Sequence, residues 1–166
     1  GVRTADGELH ELDVLVLATG VHAHQFMRPM NVKGRDGVSL NDVWEKRPTA
    51  YLSLAIPDFP NFFMLNGPTS PVGNFSLIDV VERQWAYIEH FVTMLSDGTA
   101  REVSPSHDAL ATYEQDRIAA ARNTIWASGC NSWYLDAEGV PATWPWSYQR
   151  FADEMEAPKL DAYEIA

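Results

Sequence analysis

The run Asp13-Val14-Leu15-Val16-Leu17-Ala18-Thr19-Gly20 constrains the fold of this chain more than any other feature. Four uninterrupted β-branched or aliphatic residues suit a strand covered on both faces, which implies a parallel sheet inside an α/β domain. Just upstream, Asp6-Gly7 separates Val2-Arg3-Thr4 from the arm Glu8 to Leu17. This dipeptide predicts a two-residue hairpin in which both central positions take positive φ. The apolar run already lies within the first twenty residues, and the chain opens with Gly1-Val2-Arg3-Thr4 rather than Met, so a fragment or a processed chain is expected.

The 166 residues are 46% apolar, enough for one sizeable core. Pro29, Gly34, Gly37 and Pro48 punctuate residues 21–50, which reads as a connector with a short helical turn around Asn41 to Glu45. Phe62-Phe63-Met64-Leu65, between Pro60 and Asn66-Gly67-Pro68, predicts a second buried strand ending in a turn. From Ser76 onward Leu77, Val81, Trp85, Ile88, Val92 and Leu95 recur at helical spacing until Asp97-Gly98. A second helix is expected to start at the N-cap Ser106 and to run through Leu110, Tyr113 and Ile118 toward Trp126. The aromatic residues from Trp126 to Trp146 fit either a core or the wall of an apolar pocket.

Charge and composition exclude several function classes. Lys and Arg number 12 against 23 Asp and Glu, and the net charge of −11 would repel nucleic acid and anionic membrane surfaces. The stretch from Phe59 to Ile78 has no charged residue, but Pro60, Pro68 and Pro71 break it as a membrane helix. No basic and apolar leader pattern opens the chain, and the single Cys130 cannot form an internal disulfide, so a cytoplasmic setting is expected. His22-x-His24 has no third ligand at metal-site spacing and reads as solvated loop; no metal is expected. His90 reads as structural, Cys130 as an idle thiol, and no serine stands in a nucleophile-elbow pattern.

Two strand ends carry residues suited to ligand binding: Ala18-Thr19-Gly20, and Asn66-Gly67-Pro68-Thr69-Ser70-Pro71. In open α/β sheets ligands sit beyond the carboxyl ends of strands, where small residues let backbone approach a phosphate or a planar ring. A helix starting near Asn74 to Ser76 would point its unpaired N–H groups back at such a ligand and favour a group carrying negative charge. Glycine after a strand is also ordinary turn chemistry, and the residues alone leave both readings open.

Taken together and in order, these motifs resemble a known family. Asp13 to Gly20, Trp44 with Pro48-x-Ala50-Tyr51-Leu52, Phe59-Pro60-Asn61-Phe62-Phe63 leading into Gly67-Pro68-x-Ser70-Pro71, and the late Cys130-Asn131-Ser132-Trp133-Tyr134 are similar to the C-terminal half of Baeyer–Villiger monooxygenases, within the flavin-containing (class B) flavoprotein monooxygenases. The resemblance implies an α/β fold: a C-terminal fragment of a two-dinucleotide-binding-domain flavoprotein, Rossmann-like for FAD and NADPH, with a helical and loop-rich end. Residues 1–57 would be the tail of the NADPH domain and a connector, 58–98 the last strand and helix of the FAD domain, and 99–166 the C-terminal segment.

The implied activity is oxygenation of an apolar ketone by O2, with NADPH reducing FAD. By matching motif, Ala18, Thr19 and Gly20 would lie at the junction of the nucleotide domains. Asn66, Gly67, Pro68, Ser70, Gly73, Asn74 and Phe75 would border flavin and substrate. Trp133 matches the tryptophan of a mobile loop that closes over NADP. The chain departs from the whole family pattern in lacking any Gly-x-Gly-x-x-Gly, so both pyrophosphate fingerprints, the histidine motif and the catalytic arginine belong upstream, in a segment of roughly three hundred residues. The parent is therefore expected to be the enzyme and this chain alone inactive. A monooxygenase acting on nitrogen or sulfur, and a non-catalytic interaction domain, are the alternatives.

Overall fold

The computed structural model describes residues 1–20, 22–73, 75–129 and 132–166. Strands β1 (Val2–Arg3) and β2 (Leu9–His10) form the expected hairpin, with Val2 opposite His10 and Arg3 opposite Leu9. Its turn is wider than a two-residue loop. Gly7 N–H closes on the Thr4 carbonyl at 2.9 Å and Thr4 N–H on the Glu8 carbonyl at 3.0 Å, so Ala5, Asp6 and Gly7 make the loop. Only Gly7, at φ 87°, takes the left-handed conformation. One glycine in that region is enough when a further residue is admitted to the turn.

The expected parallel strand at Asp13 to Leu17 does not form. Residues 13–20 belong to no strand, with Val14, Val16 and Leu17 exposed at 74%, 78% and 77%. A strand is held by a neighbour's N–H and C=O groups, and among the described residues no backbone lies alongside this one. The second expected strand is likewise reduced to an isolated bridge between Ala55 and Phe63, with Met64 N–H donating to the Leu54 carbonyl at 2.8 Å.

Helix α1 (Leu40–Val43) supplies the short turn expected in the connector. It buries Leu40 against Trp44, Ala50, Ile56, Phe59 and Met64, a small core of its own. The long helix α2 (Leu77–Ser96) follows the periodic pattern and closes at Asp97-Gly98. Its inward face is not the predicted one. Val80, Gln84, Tyr87, Ile88 and Phe91 are buried, whereas Leu77, Trp85 and Val92 of the predicted stripe are exposed and only Ile88 of that stripe is buried. The helix is apolar on two faces, so spacing alone could not say which one this chain covers.

Strand β3 (Val103–Pro105) leads into helix α3 (His107–Ala121), whose N-cap is Ser106 as expected: its Oγ accepts the Ala109 N–H at 3.1 Å. The helix stops at Ala121, short of Trp126, which lies in a separate 3-10 turn at Ile125–Ala127. Helix α4 (Tyr148–Glu154) and strand β4 (Tyr163–Ile165) complete the chain, β4 pairing antiparallel with β3. The larger core joins Tyr51, Leu54, Val80, Tyr87, Phe91, Tyr113, Trp144, Phe151 and Tyr163. Edge-on ring contacts knit it, such as Tyr51 to Tyr163 at 5.6 Å and Trp144 to Phe151 at 5.4 Å. Among the described residues no helix is long and apolar enough to cross a membrane, and no group of three or more metal-ligating side chains occurs.

Candidate functional site

The turn after Leu65 is built by polar ties to three other parts of the chain. Asn66 enters it at φ 50°, and its N–H donates to Gln84 Oε1 on α2 at 2.8 Å. Ser70 Oγ donates to Asn66 Oδ1 at 3.1 Å, and Ser70 N–H reaches the Gly67 carbonyl at 3.2 Å. From the far side, Thr143 Oγ1 donates to the Ser70 carbonyl at 3.2 Å. Thr69, at φ 67°, places Oγ1 3.4 Å from Ser53 Oγ, itself in a turn where Ser53 has φ 64°. Gly67, Pro68, Thr69 and Ser70 are all buried within the chain.

Gly67 therefore has an internal reason for lacking a side chain. A Cβ there would meet the Ser53 carbonyl oxygen and the Met64 Cβ. The outer end of the turn is the accessible part: Gly73 is exposed and Phe75 half-buried. Phe75 sets its ring edge-on to Tyr148 at 5.2 Å, while Tyr148 OH donates to Asp79 Oδ2 on the first turn of α2. Ser76 caps α2 without a side-chain hydrogen bond, and among the described residues no side chain is seen to accept from the first N–H groups of the helix. Asn74 lies outside the described residues, as do Cys130 and Asn131.

Tyr134, the neighbour of Trp133, stands against this turn. A Cβ on Gly73 would collide with the Tyr134 hydroxyl. Tyr134 in turn stacks on Trp133 with ring centroids 3.9 Å apart, and on Trp126 at 6.1 Å. Trp133 is 55% exposed, in contrast to Trp144 at 1%, so the aromatic group divides into a core half and an outward half. His24 Nε2 lies 2.6 Å from the Trp133 carbonyl oxygen, which gives the His22-x-His24 pair a tie to this segment. A cleft of about 270 Å³ opens between residues 24–28, the connector around Trp44 to Pro48, Pro68-Thr69, and Asp136 to Ala142.

The structure thus brings Gly73 of this turn against Tyr134, on which Trp133 stacks. Ala18, Thr19 and Gly20 stay apart: they are exposed, and none of the hydrogen bonds among the described residues joins them to that turn. Several residues escaped the sequence reading. Ser53 faces Thr69 only because two left-handed turns meet, and Gln84 and Thr143 act across long sequence separations that no local pattern encodes. The Tyr113 phenol is pushed up by burial and by neighbouring Glu114, against the pull of the Thr69 and Ser53 hydroxyls.

No family model matches the chain. Individual proteins do. An uncharacterized monooxygenase of Mycobacterium tuberculosis is 47% identical over 147 residues, which is 89% of this chain and 30% of that protein. An FAD-binding monooxygenase of Aspergillus niger is 34% identical over 93% of this chain and 26% of its own length. A Baeyer–Villiger monooxygenase of Streptomyces coelicolor is 31% identical over 97% of this chain and 32% of its own length. Among solved structures, a closed cyclohexanone monooxygenase superimposes with a TM-score of 0.83 at 30% identity, covering 100% of this chain and 32% of that one. The cyclohexanone monooxygenase of Rhodococcus sp. Phi1 bound to NADP+ gives 0.80 at 29%, over 96% of this chain and 31% of its own. The chain spans about 30% of the length of the first of these relatives. By sequence and by fold, the chain is similar to a segment, about 30% of the length, of flavoprotein monooxygenases that include Baeyer–Villiger enzymes.

Proposed function

We propose that this chain is the C-terminal part of an FAD- and NADPH-dependent monooxygenase that inserts one oxygen atom from O2 beside the carbonyl of an apolar ketone. The observation that carries the reading is the meeting of the Gly73 end of the turn with the Tyr134 and Trp133 rings. There a backbone turn just before the N-terminus of α2 meets Tyr134, on which the exposed Trp133 stacks. They fit the acceptor-bearing edge of a flavin ring on one side and a nicotinamide cofactor on the other. The pyrophosphates do not fit this chain, which has no Gly-x-Gly-x-x-Gly, and they would be held by residues outside it.

Bound FAD, once reduced by NADPH, supplies the activation of O2. This chain's residues orient and shield. Gly73 and Phe75, with the first turn of α2, would line the flavin and substrate side. Asn66, Gly67, Pro68 and Ser70 hold that lining in place, and Trp133 would close over the nicotinamide and exclude water. Ala18-Thr19-Gly20 would sit at the junction of the nucleotide domains once a neighbouring strand pairs with Asp13 to Leu17. In this scheme residues 1–57 end the NADPH domain and connector, 58–98 supply the last strand and helix of the FAD domain, and 99–166 form the terminal segment. A cytoplasmic setting suits an enzyme drawing on NADPH.

The test is turnover by the full-length protein that contains this segment. Reconstituted with FAD, it should show a flavin absorbance band and consume NADPH and O2 one for one with ester or lactone formed from a ketone. Oxygenation confined to amines or sulfides, or the absence of a flavin band, would overturn the reading. The 166-residue chain alone is expected neither to retain FAD through dialysis nor to oxidise NADPH.

A further inference from the structure

Residues 132–142 fold back on themselves into a short hairpin that carries Trp133 at its entry. Ala142 N–H donates to the Tyr134 carbonyl at 2.7 Å, and Leu135 bridges Pro141. At the tip, Asp136 Oδ1 accepts the N–H groups of Glu138 and Val140, each at 2.9 Å. The other carboxylate oxygen, Oδ2, lies 2.5 Å from Arg47 Nε, and Arg47 Nη2 donates to Glu138 Oε2 at 2.6 Å. The Arg47 and Asp136 side chains are only 16% and 8% exposed, so solvent and salt screen their attraction weakly. The cleft of about 270 Å³ borders both residues and leaves the hairpin room to shift on that side.

We propose that Arg47 is the positioning residue of the Trp133 segment: its ion pairs with Asp136 and Glu138 pin the hairpin to the connector and so set where the Trp133 ring stands. The proposal rests on the reading that Trp133 closes over the nicotinamide cofactor. Without Arg47, the Asp136 carboxylate loses its cation in a site largely shut off from water, and removing one partner of such a pair is strongly unfavourable. The hairpin relieves this by swinging Asp136 toward solvent, and Trp133, three residues earlier, moves with it. The other ties do not reach the tip: His24 holds the Trp133 carbonyl, and Arg117 Nη1 donates to the Pro141 carbonyl at 2.8 Å.

The experiment compares Arg47→Met, Arg47→Lys, Trp133→Ala and the Arg47→Met/Trp133→Ala double variant in the full-length flavoenzyme. It reads KM for NADPH, hydrogen peroxide released per NADPH, FAD content and Tm. Arg47→Met is expected to raise the NADPH KM about tenfold and to increase peroxide release at unchanged FAD content, a size typical of residues that act through a coupled neighbour. Arg47→Lys should recover part of the loss. In the double variant the two effects should not multiply, because both remove the same placed ring. Should Arg47→Met fail to fold, the charge-exchanged Arg47→Asp/Asp136→Arg variant carries the test and is expected to restore NADPH use. A full Trp133→Ala effect with a neutral Arg47→Met or, where Arg47→Met does not fold, with a charge exchange that leaves NADPH use impaired would overturn the positioning role alone. Multiplicative effects in the double variant would overturn it as well. A neutral Trp133→Ala would overturn the lid reading and this proposal together.

Discussion

Gly73, at φ 87°, lies against the Tyr134 hydroxyl with no room for a Cβ between them. This single approach joins the turn after Leu65 to the aromatic segment sixty residues later. Gly73→Ala should cost about 1 kcal/mol through the left-handed backbone alone and should also push Tyr134, and Trp133 stacked on it, out of place. In the full-length enzyme we expect a raised NADPH KM together with a lowered Tm. Adding Tyr134→Phe removes the colliding oxygen and should restore part of the KM; if it restores none, the contact does not position the ring.

Two tryptophans in one short stretch should behave in opposite ways. Trp144 is buried among Tyr113, Trp146 and Phe151, and Trp144→Ala should cost about 3–5 kcal/mol in a denaturant titration. Trp133 is exposed and its ring stacks on Tyr134 at the surface, so Trp133→Ala should cost about 1 kcal/mol or less. Its loss should register in coupling and NADPH use. A stability loss at Trp133 as large as at Trp144, with unchanged coupling, would place it in the core.

Gly67 looked in the sequence like a point of backbone approach to a ring. The Ser53 carbonyl and Met64 occupy the space a Cβ would need, so Gly67→Ala and more so Gly67→Val should destabilise the protein, by about 1–3 kcal/mol as in other overpacked sites. Tm and FAD content measured on the same preparation decide this. A normal Tm with empty flavin sites would return Gly67 to the ligand-facing surface.

The tyrosine cluster predicts alkaline sensitivity. Burial pushes the Tyr51 phenol up to about 12, and raises Tyr87, Tyr113 and Tyr163 as well, with Tyr87 and Tyr163 sharing a hydrogen bond at 3.0 Å. An unfolded phenol titrates near pH 10, so below about pH 10 both states are protonated and the contribution is fully present. As pH rises from about 10 through 12 the unfolded chain ionises while the folded core does not, and stability falls. Tm should therefore drop steeply above about pH 10, and Tyr51→Phe should flatten the drop. An unchanged slope in that variant would remove Tyr51 from the cause.

What the sequence determined by itself is what local chemistry determines. The Asp6-Gly7 hairpin, the Ser106 cap, the length of the helix from Leu77 to Ser96 and the breaks at Pro60, Pro68 and Pro71 follow from backbone preferences and spacing within a few residues. The ordered motifs from Asp13 to Tyr134 also carried the family, because they reflect a shared fold rather than any single contact. Only the tertiary structure decided which face of that helix is covered, since Leu77, Trp85 and Val92 are as apolar as Val80, Tyr87 and Phe91 and periodicity ranks them equally. It also decided that Asp13 to Leu17 has no strand to pair with among the described residues, that Gly67 is crowded from within, and that Gly73, Tyr134 and Trp133 meet. These are relations between distant segments, formed by burial and hydrogen bonding that a one-dimensional pattern does not contain.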